Sequence, residues 1–191
     1  MQKVFLFLIC FLIGSIPTAY IVGKINNIDI RKYGSGNVGS TNVYRVIGKK
    51  WGIFTFIIDF LKGFIPTYLV IKNNYDPYTV IMGGIFTICG HVFTPFLNFK
   101  GGKGVATSTG VFMAITPKTL LISLLVFLVV VIISRIVSLA TLIATTVFFT
   151  ASILSKISIE FKYMITIVSL IIYTTHIPNI KRLLRGEELK I

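Results

Sequence analysis

Charged side chains are scarce in this chain, and acidic ones are the scarcest. Only 13% of the 191 residues are charged, whereas soluble domains average about a quarter. Six acidic residues stand against 19 basic ones, which gives a net charge of +13. In a chain that is 54% hydrophobic, this excess of base indicates loops that face the inner surface of a membrane, not a nucleic acid. The composition excludes an ordinary soluble domain and predicts an all-α integral membrane protein without a nucleic-acid partner.

Cysteine and histidine are nearly absent, with two residues of each. Cys10 and Cys89 both lie in apolar runs, so they have neither the number nor the spacing of a disulfide framework. Structural zinc sites need four nearby ligands, mostly Cys and His, and the few acidic residues are scattered along the chain. We therefore expect no metal and no other cofactor.

Long apolar runs fill most of the chain. A helix that spans a bilayer needs about 20 predominantly apolar residues. The sequence predicts about seven transmembrane helices, at 4–22, 51–71, 78–97, 104–116, 120–134, 136–154 and 159–175, with six and eight as the alternative counts. The segment 104–116 is short and needs part of the glycine-rich stretch before it to span, and 120–134 needs its flanks. We expect residues 1–191 to form a single polytopic transmembrane domain.

The basic residues are unevenly distributed among the loops. Most of them follow the first, third, fifth and seventh predicted spans. The positive-inside rule then places the N-terminus outside and the C-terminus in the cytoplasm. Three polar stretches fall on that same cytoplasmic face, so we expect a functional site there.

The first polar stretch runs from Gly34 to Arg45. Its first six residues match the dinucleotide pattern G-x-G-x-x-G, but no strand of a βαβ unit precedes it, which excludes that function. What remains is a glycine-rich turn with hydroxyl and amide groups that donate to phosphate oxygens, followed by an arginine that can bind them bidentately. A polar turn capping an interfacial helix is the alternative. The candidate residues are Ser35, Asn37, Thr41, Asn42 and Arg45.

The second stretch, at 99–107, leads into small residues that can begin a helix. Its glycines permit turns in which backbone N–H groups converge on an anion. Lys103 and the dipole of the following helix add positive charge. The spacing differs from that of a P-loop, and a flexible basic loop is the alternative. The candidates are Gly101, Gly102, Lys103 and Gly104, with His91 ahead of them, for which a bond to a neighbouring carbonyl is an equal alternative.

The third stretch begins at His176, where the last predicted span ends. His176, Asn179 and Arg182 are three residues apart, so they can share one face of a continuing helix. For the other basic residues near them, a tail lying on anionic lipid is the alternative. Ser138 lies in the remaining cytoplasmic turn and is a further candidate.

Two ionisable residues lie within the second predicted span. Asp59 and Lys62 are three residues apart, a spacing that predicts a structural ion pair. An ionisable residue inside a membrane is also a functional candidate, and the sequence leaves that alternative open.

Together and in this order, the polar stretches resemble the motifs of the bacterial acyl-phosphate:glycerol-3-phosphate acyltransferases, a family of integral membrane enzymes. The matching blocks lie at 34–45, 99–107 and 176–188, and the turn at 135–139 fits as well. Ile177 and Pro178 depart from the pattern, which more often has a charged or polar residue there. The family's terminal acid corresponds to Glu187 or Glu188, and the sequence leaves this choice open.

The resemblance implies that a fatty acyl group passes from an acyl phosphate to the sn-1 hydroxyl of glycerol 3-phosphate. The products are lysophosphatidic acid and inorganic phosphate, in the first step of phospholipid synthesis. Catalytic roles then fall to Arg45, Lys103 and His176, and substrate-binding roles to the other candidates. The base is either His176 or a substrate phosphate. We expect a monomer in the bacterial inner membrane, surrounded by lipid, with its active site on the cytoplasmic face.

A membrane transporter of a phosphorylated anion is the competing function. It would also use basic loops and glycine-broken helices, and it predicts an internal repeat with polar residues deep in several spans. The chain halves show no clear repeat. Only four Asp, Glu, Lys or Arg residues lie within predicted spans, namely Asp59, Lys62, Glu160 and Lys162. These observations favour the acyltransferase.

Overall fold

Helices account for all the regular structure of this chain. The computed structural model describes all 191 residues, and they form ten α-helices and two single-turn 3₁₀ helices with no β-strand. The all-α prediction is confirmed. The chain divides into two compact units, Met1–Ile115 and Thr116–Ile191, which are described separately. The single domain expected from the sequence stays a prediction.

The first unit contains six α-helices. They are α1 (Gln2–Ser15), α2 (Thr18–Ile25), α3 (Ser40–Val46), α4 (Lys49–Lys72), α5 (Pro77–Val92) and α6 (Val105–Ile115), with 3₁₀ turns at Ile30–Lys32 and Pro95–Leu97. The predicted first span, 4–22, is thus two helices. Pro17, which has no N–H to donate, follows the end of α1.

The second unit contains the other four helices. They are α7 (Pro117–Ser134), α8 (Val137–Leu154), α9 (Ile159–Thr175) and α10 (Ile177–Leu184). Arg135 takes a left-handed conformation (φ 56°) between α7 and α8. Helix α7 leaves large apolar side chains exposed, among them Leu125 and Ile133, as expected of a surface that lies against lipid.

Five helical segments are long and apolar enough to cross a membrane. They are Gln2–Ile25, Lys49–Lys72, Pro77–Leu97, Pro117–Ser134 and Val137–Leu154. Helices α9 and α10 form a sixth segment if they count as one span bent by 55°. Helix α6 has only 11 residues, or about 16 Å, against a hydrocarbon thickness of about 30 Å. The count of seven spans and the direction of the termini stay predictions.

Helix α5 begins at a well-formed N-cap. Asp76 precedes the helix, and its carboxylate accepts from the N–H (3.2 Å) and the hydroxyl (2.7 Å) of Thr79, while Pro77 occupies the first turn, where no N–H is needed. Lys3 at the start of α1 forms an ion pair of 2.7 Å with the same carboxylate. Hydrogen bonds from Lys3 and Thr79 hold the pKa of Asp76 well below its ordinary value.

A small apolar core joins the first two polar stretches. Val38 and Val43 come from the 34–45 stretch, and Leu97 comes from the turn that leads into the glycine loop; they pack with Ala19, Val22 and Ile30. Removing these side chains from water stabilises the arrangement by roughly 1.5–3 kcal/mol for each fully buried Val or Leu. This core brings the two stretches of the first unit to one end of α2.

Candidate functional site

Asn42 holds the turn of the first polar stretch. Its side chain is 1% exposed. The side-chain oxygen accepts from the N–H of Ser35 (2.9 Å), and the amide nitrogen donates to the carbonyls of Ile30 and Tyr33 (3.1 Å each). These bonds shape the turn, and a contact of Asn42 with a substrate stays a prediction.

The other candidates of this stretch lie nearer the surface. Ser35, Asn37, Thr41 and Arg45 are all partly exposed. Helix α3 places Arg45 one turn after Thr41. The N–H of Asn37 donates to the hydroxyl of Ser35 at 3.5 Å. Binding of a phosphate group by these side chains stays a prediction.

The glycine loop returns onto the end of α5. The N–H of Gly101 donates to the carbonyl of Val92 (2.9 Å), and that of Gly102 donates to the carbonyl of His91 (3.1 Å). The prediction that these two N–H groups converge on an anion is wrong, because both satisfy carbonyls that α5 leaves unpaired at its end. Binding by other atoms of Gly101 and Gly102 stays a prediction.

The glycine loop leads directly into the start of α6. The carbonyl of Gly104 accepts from the N–H of Ser108 (2.8 Å), which sets the beginning of the helix. The N–H groups of its first turn have no carbonyl before them within the helix. Lys103, partly exposed, stands immediately before this turn, and Gly104 adopts φ +83°, a conformation that favours glycine.

Two buried hydroxyls occupy the same turn. Thr107 Oγ1 and Ser108 Oγ have no hydrogen-bond partner in the protein, although Thr107 is 0% and Ser108 2% exposed. A buried hydroxyl without a partner costs about 1–3 kcal/mol, so a bound acceptor would stabilise this turn. Neither residue is among the candidates predicted from the sequence, although both lie in or beside the 99–107 block.

His91 lies between the glycine loop and an ion pair in α4. A Cβ atom at Gly102 would collide with its imidazole. On the other side, His91 Nδ1 is 3.9 Å from Asp59 Oδ1. Asp59 pairs with Lys62 at 2.8 Å, with both side chains almost fully buried, so the predicted structural ion pair is confirmed as a contact. Thr18 donates to Asp59 at 2.9 Å.

Glu188 gathers the candidates of the second unit. Its Oε1 accepts from Ser138 Oγ (2.9 Å) and Asn179 Nδ2 (2.6 Å), and its Oε2 accepts from Arg182 Nε (2.7 Å). Glu188 is buried and bonds to these three motif residues, whereas Glu187 is exposed, which favours Glu188 as the counterpart of the motif's terminal acid. Burial alone raises the pKa of the Glu188 carboxyl, but hydrogen bonds from Arg182, Asn179 and Ser138 outweigh it and leave the pKa below its ordinary value.

His176 stands at the corner between α9 and α10. It is 3% exposed, and its Nδ1 lies 2.8 Å from the carbonyl of Ile172. Because a carbonyl only accepts, the neutral ring carries its proton on Nδ1, which leaves the basic lone pair on Nε2. Asn179 and Arg182 follow at intervals of three in α10, as predicted for a continuing helix, although the axis bends by 55°.

No group of three or more His, Cys, Asp or Glu side chains in the chain is arranged to hold a metal ion. Among the described contacts, the acidic side chains at the site form ion pairs and hydrogen bonds with basic and polar neighbours instead. Asp59 bonds to Lys62 and Thr18, and Glu188 bonds to three donors.

Comparison with known proteins gives a consistent result over the whole chain. The family model "Glycerol-3-phosphate acyltransferase" matches residues 4–186. The glycerol-3-phosphate acyltransferase of Aquifex aeolicus is 40% identical over 189 residues, which cover 98% of each chain. In all, 461 curated proteins match significantly.

Two crystal structures also match. Both are of PlsY (YgiH), an integral membrane glycerol 3-phosphate acyltransferase, one in its glycerol 3-phosphate form and one in its lysophosphatidic acid form. The TM-scores are 0.96 and 0.93, and each has 38% sequence identity and covers 100% of this chain and 96% of the other. This agreement confirms an integral membrane protein.

Proposed function

This chain belongs to the glycerol-3-phosphate acyltransferase family, and we propose that it transfers a fatty acyl group from an acyl phosphate to the sn-1 hydroxyl of glycerol 3-phosphate. One observation carries the proposal most directly. Lys103 precedes a helix start at which two buried hydroxyls have no partner in the protein. A phosphate group, which accepts several hydrogen bonds and carries negative charge, fits such a turn.

The first unit supplies most of the groups that suit phosphate. Arg45 and Lys103 neutralise charge on the two phosphorylated substrates, and Ser35, Asn37 and Thr41 donate to phosphate oxygens. Holding both substrates in a reactive geometry makes a bimolecular attack effectively unimolecular, which lowers the barrier by up to ~7–11 kcal/mol in favourable cases. Five other candidates fix the backbone that carries these phosphate-binding groups. They are Gly101, Gly102, Gly104, Asn42 and His91.

The second unit supplies groups for the acceptor. His176 and Asn179 bind and orient glycerol 3-phosphate, and Glu188 holds Asn179, Arg182 and Ser138 in place. Nε2 of a neutral His176 is the ring nitrogen that can accept a hydrogen bond from the substrate hydroxyl.

The reaction needs no external proton donor or acceptor. The hydroxyl oxygen of glycerol 3-phosphate attacks the acyl carbonyl carbon, the bond from that carbon to the phosphate oxygen breaks, and inorganic phosphate leaves. The hydroxyl releases one proton, and the departing phosphate can take up one proton, so the two balance. Either His176 Nε2 or a substrate phosphate carries it, and positive groups at the leaving phosphate stabilise the charge that develops.

The activity assay combines purified protein in detergent with palmitoyl phosphate and glycerol 3-phosphate and follows inorganic phosphate. We expect release that requires glycerol 3-phosphate and is lost in Lys103→Ala. Lys100→Ala is the matched control, since Lys100 lies in the same loop and is exposed, and it should keep most of the activity. Release without the acceptor would identify a hydrolase. A folded protein without any release would contradict the proposal and lead to uptake assays for the transporter alternative.

The proposed topology has seven crossings, with the N-terminus outside and the C-terminus in the cytoplasm of a bacterial inner membrane. Helix α6 is its decisive element, because only a crossing by α6 puts Lys100 and Lys118 on opposite sides. Single cysteines at these two positions, in a chain whose own cysteines are replaced, should differ in labelling by an impermeant maleimide in intact cells. Equal labelling would contradict seven crossings. Since one chain carries all three motifs, we also propose that a monomer is active.

A further inference from the structure

We propose that Asp59 and Lys62 are positioning residues that set the glycine loop in place through His91. The inference rests on the proposed function of that loop in binding a phosphorylated substrate, and it assigns a role to two buried charges that the proposed chemistry does not use. All of the groups involved belong to the first unit.

The Asp59–Lys62 ion pair places two charges inside a predicted membrane span. Asp59 and Lys62 are 1% and 6% exposed within a helix long enough to span the membrane. Buried charges are expensive to remove from water, and a well-packed apolar pair often stabilises a protein as well or better. Their presence in α4 therefore calls for a purpose other than general stability.

The ion pair contacts the break between α1 and α2. Lys62 donates to the carbonyl of Ile16 at 2.9 Å, at the break between α1 and α2, and Asp59 accepts from Thr18 just after it. The pair thus connects α4 to this break. The same break is connected to the start of the glycine loop, because Thr94 donates to the carbonyl of Ser15 at 2.7 Å.

His91 lies between the ion pair and the glycine loop. The distance of 3.9 Å from Asp59 Oδ1 to His91 Nδ1 is longer than a direct hydrogen bond. The carboxylate is itself held by Lys62 and Thr18, so it limits the position of the buried imidazole by contact. The opposite edge of the ring, at Nε2, fills the space where a side chain at Gly102 would lie. The carbonyl of His91 also accepts from the N–H of Gly102. A fixed imidazole therefore fixes the backbone one residue before Lys103.

The arrangement predicts an unusual coupling between distant substitutions. In the native protein a Cβ atom at Gly102 meets an imidazole that the ion pair holds still, so Gly102→Ala should be costly. When Asp59→Asn and Lys62→Met remove both charges together, no unpaired charge is left and His91 can move aside. Gly102→Ala should then cost much less, although each change alone weakens substrate binding.

The experiment measures KM for each substrate and kcat by phosphate release from palmitoyl phosphate. We expect Asp59→Asn/Lys62→Met to raise the KM of a phosphorylated substrate about tenfold with kcat changed less than threefold. We expect Gly102→Ala to lower kcat/KM at least tenfold in the native chain and less than threefold in the pair-free chain. Independent effects that multiply would overturn the proposal, as would unchanged KM values in the pair-free protein.

The matched control is Lys3→Met/Asp76→Asn, which removes an exposed ion pair of similar length in the same unit and should leave both KM values unchanged. If the pair-free protein does not fold, His91→Ala gives the same test, because it also makes room beside Gly102. An undiminished cost of Gly102→Ala in that background would overturn the proposal.

A second readout does not depend on activity. Trypsin should cut faster after the exposed Lys100 in the pair-free protein, while cutting after Lys32 in the other loop stays unchanged. An inactive native protein would contradict the proposed function alone. Equal cutting after Lys100 in native and pair-free protein would contradict the positioning role.

Discussion

Removal of the Glu188 carboxylate should release the C-terminal tail of the protein. Residues 186–191 follow α10 and return toward α8, where Ser138 donates to Glu188 and the N–H of Ile191 donates to the carbonyl of Arg135 at 2.9 Å. Glu188 is the one side chain in this tail that binds three donors. Glu188→Ala therefore tests whether the tail is held by this carboxylate or by its backbone.

The size of the effect follows from the bonds that are lost. Hydrogen bonds to charged groups contribute about 1.5–3 kcal/mol each in buried sites and neutral ones about 1 kcal/mol. The Arg182 side chain is 31% exposed, so solvent screens its share, and we take ~1 kcal/mol for each of the three bonds. A total of ~3 kcal/mol raises the open fraction of the tail about 100-fold, since 1.4 kcal/mol is a factor of ten.

Trypsin cleavage after Arg185 reports this opening directly, because Arg185 is exposed and precedes the tail. When reclosing is fast, the cutting rate follows the open fraction, so release of residues 186–191 measured by mass spectrometry should accelerate about 100-fold in Glu188→Ala. Glu187→Ala is the matched control, since the neighbouring Glu187 is exposed. Equal rates in the two variants would refute the argument from hydrogen bonds.

Three further predictions concern the first unit. Asn42→Ala removes three bonds of the first polar turn and should speed trypsin cleavage there at least tenfold, with a larger rise in the KM for glycerol 3-phosphate than fall in kcat. Thr94→Val removes the bond to the Ser15 carbonyl, costs ~1 kcal/mol, and should lower Tm by about 3 °C in a thermal melt, whereas Thr94→Ser should not. The hydrogen bond from Arg31 lowers the pKa of Asp29 to about 2. The stabilisation of the folded state by this bond is therefore complete above about pH 4 and is lost as the pH falls toward 2. The NMR shift of the Asp29 carboxyl carbon measures this titration, and Arg31→Ala should restore the ordinary pKa.

The sequence predicted the helices well where apolar runs end at polar or proline residues. Span 159–175 coincides with α9, and 51–71 lies within α4. The first span was predicted as one helix because hydropathy does not register a lost hydrogen bond at Pro17. Helix α6 (Val105–Ile115) also agrees closely with the predicted 104–116.

The candidate site was predicted less completely, for a physical reason. Sequence patterns identify residues that can bind phosphate, but they do not show which hydrogen-bonding groups the fold already uses. The N–H groups of Gly101 and Gly102 were expected to face an anion, and they bond to the end of α5 instead. The choice between Glu187 and Glu188 likewise needed the position of Ser138, 50 residues away along the chain.

The polar groups inside this apolar chain fall into two classes, those whose hydrogen bonds are made within the protein and those that lack a partner there. Backbone carbonyls exposed at a helix break must find donors, because lipid offers none; Lys62 and Thr94 supply them at the break after α1. Thr107 and Ser108 do not satisfy a backbone carbonyl in this way, since their hydroxyls have no hydrogen-bond partner in the protein. They also stand at a helix start that carries positive charge. Thr116 and Ser152 also lack a partner, but they lie outside the polar motifs. Because Thr107 and Ser108 follow Lys103, we propose that a bound phosphate is the acceptor for these two hydroxyls.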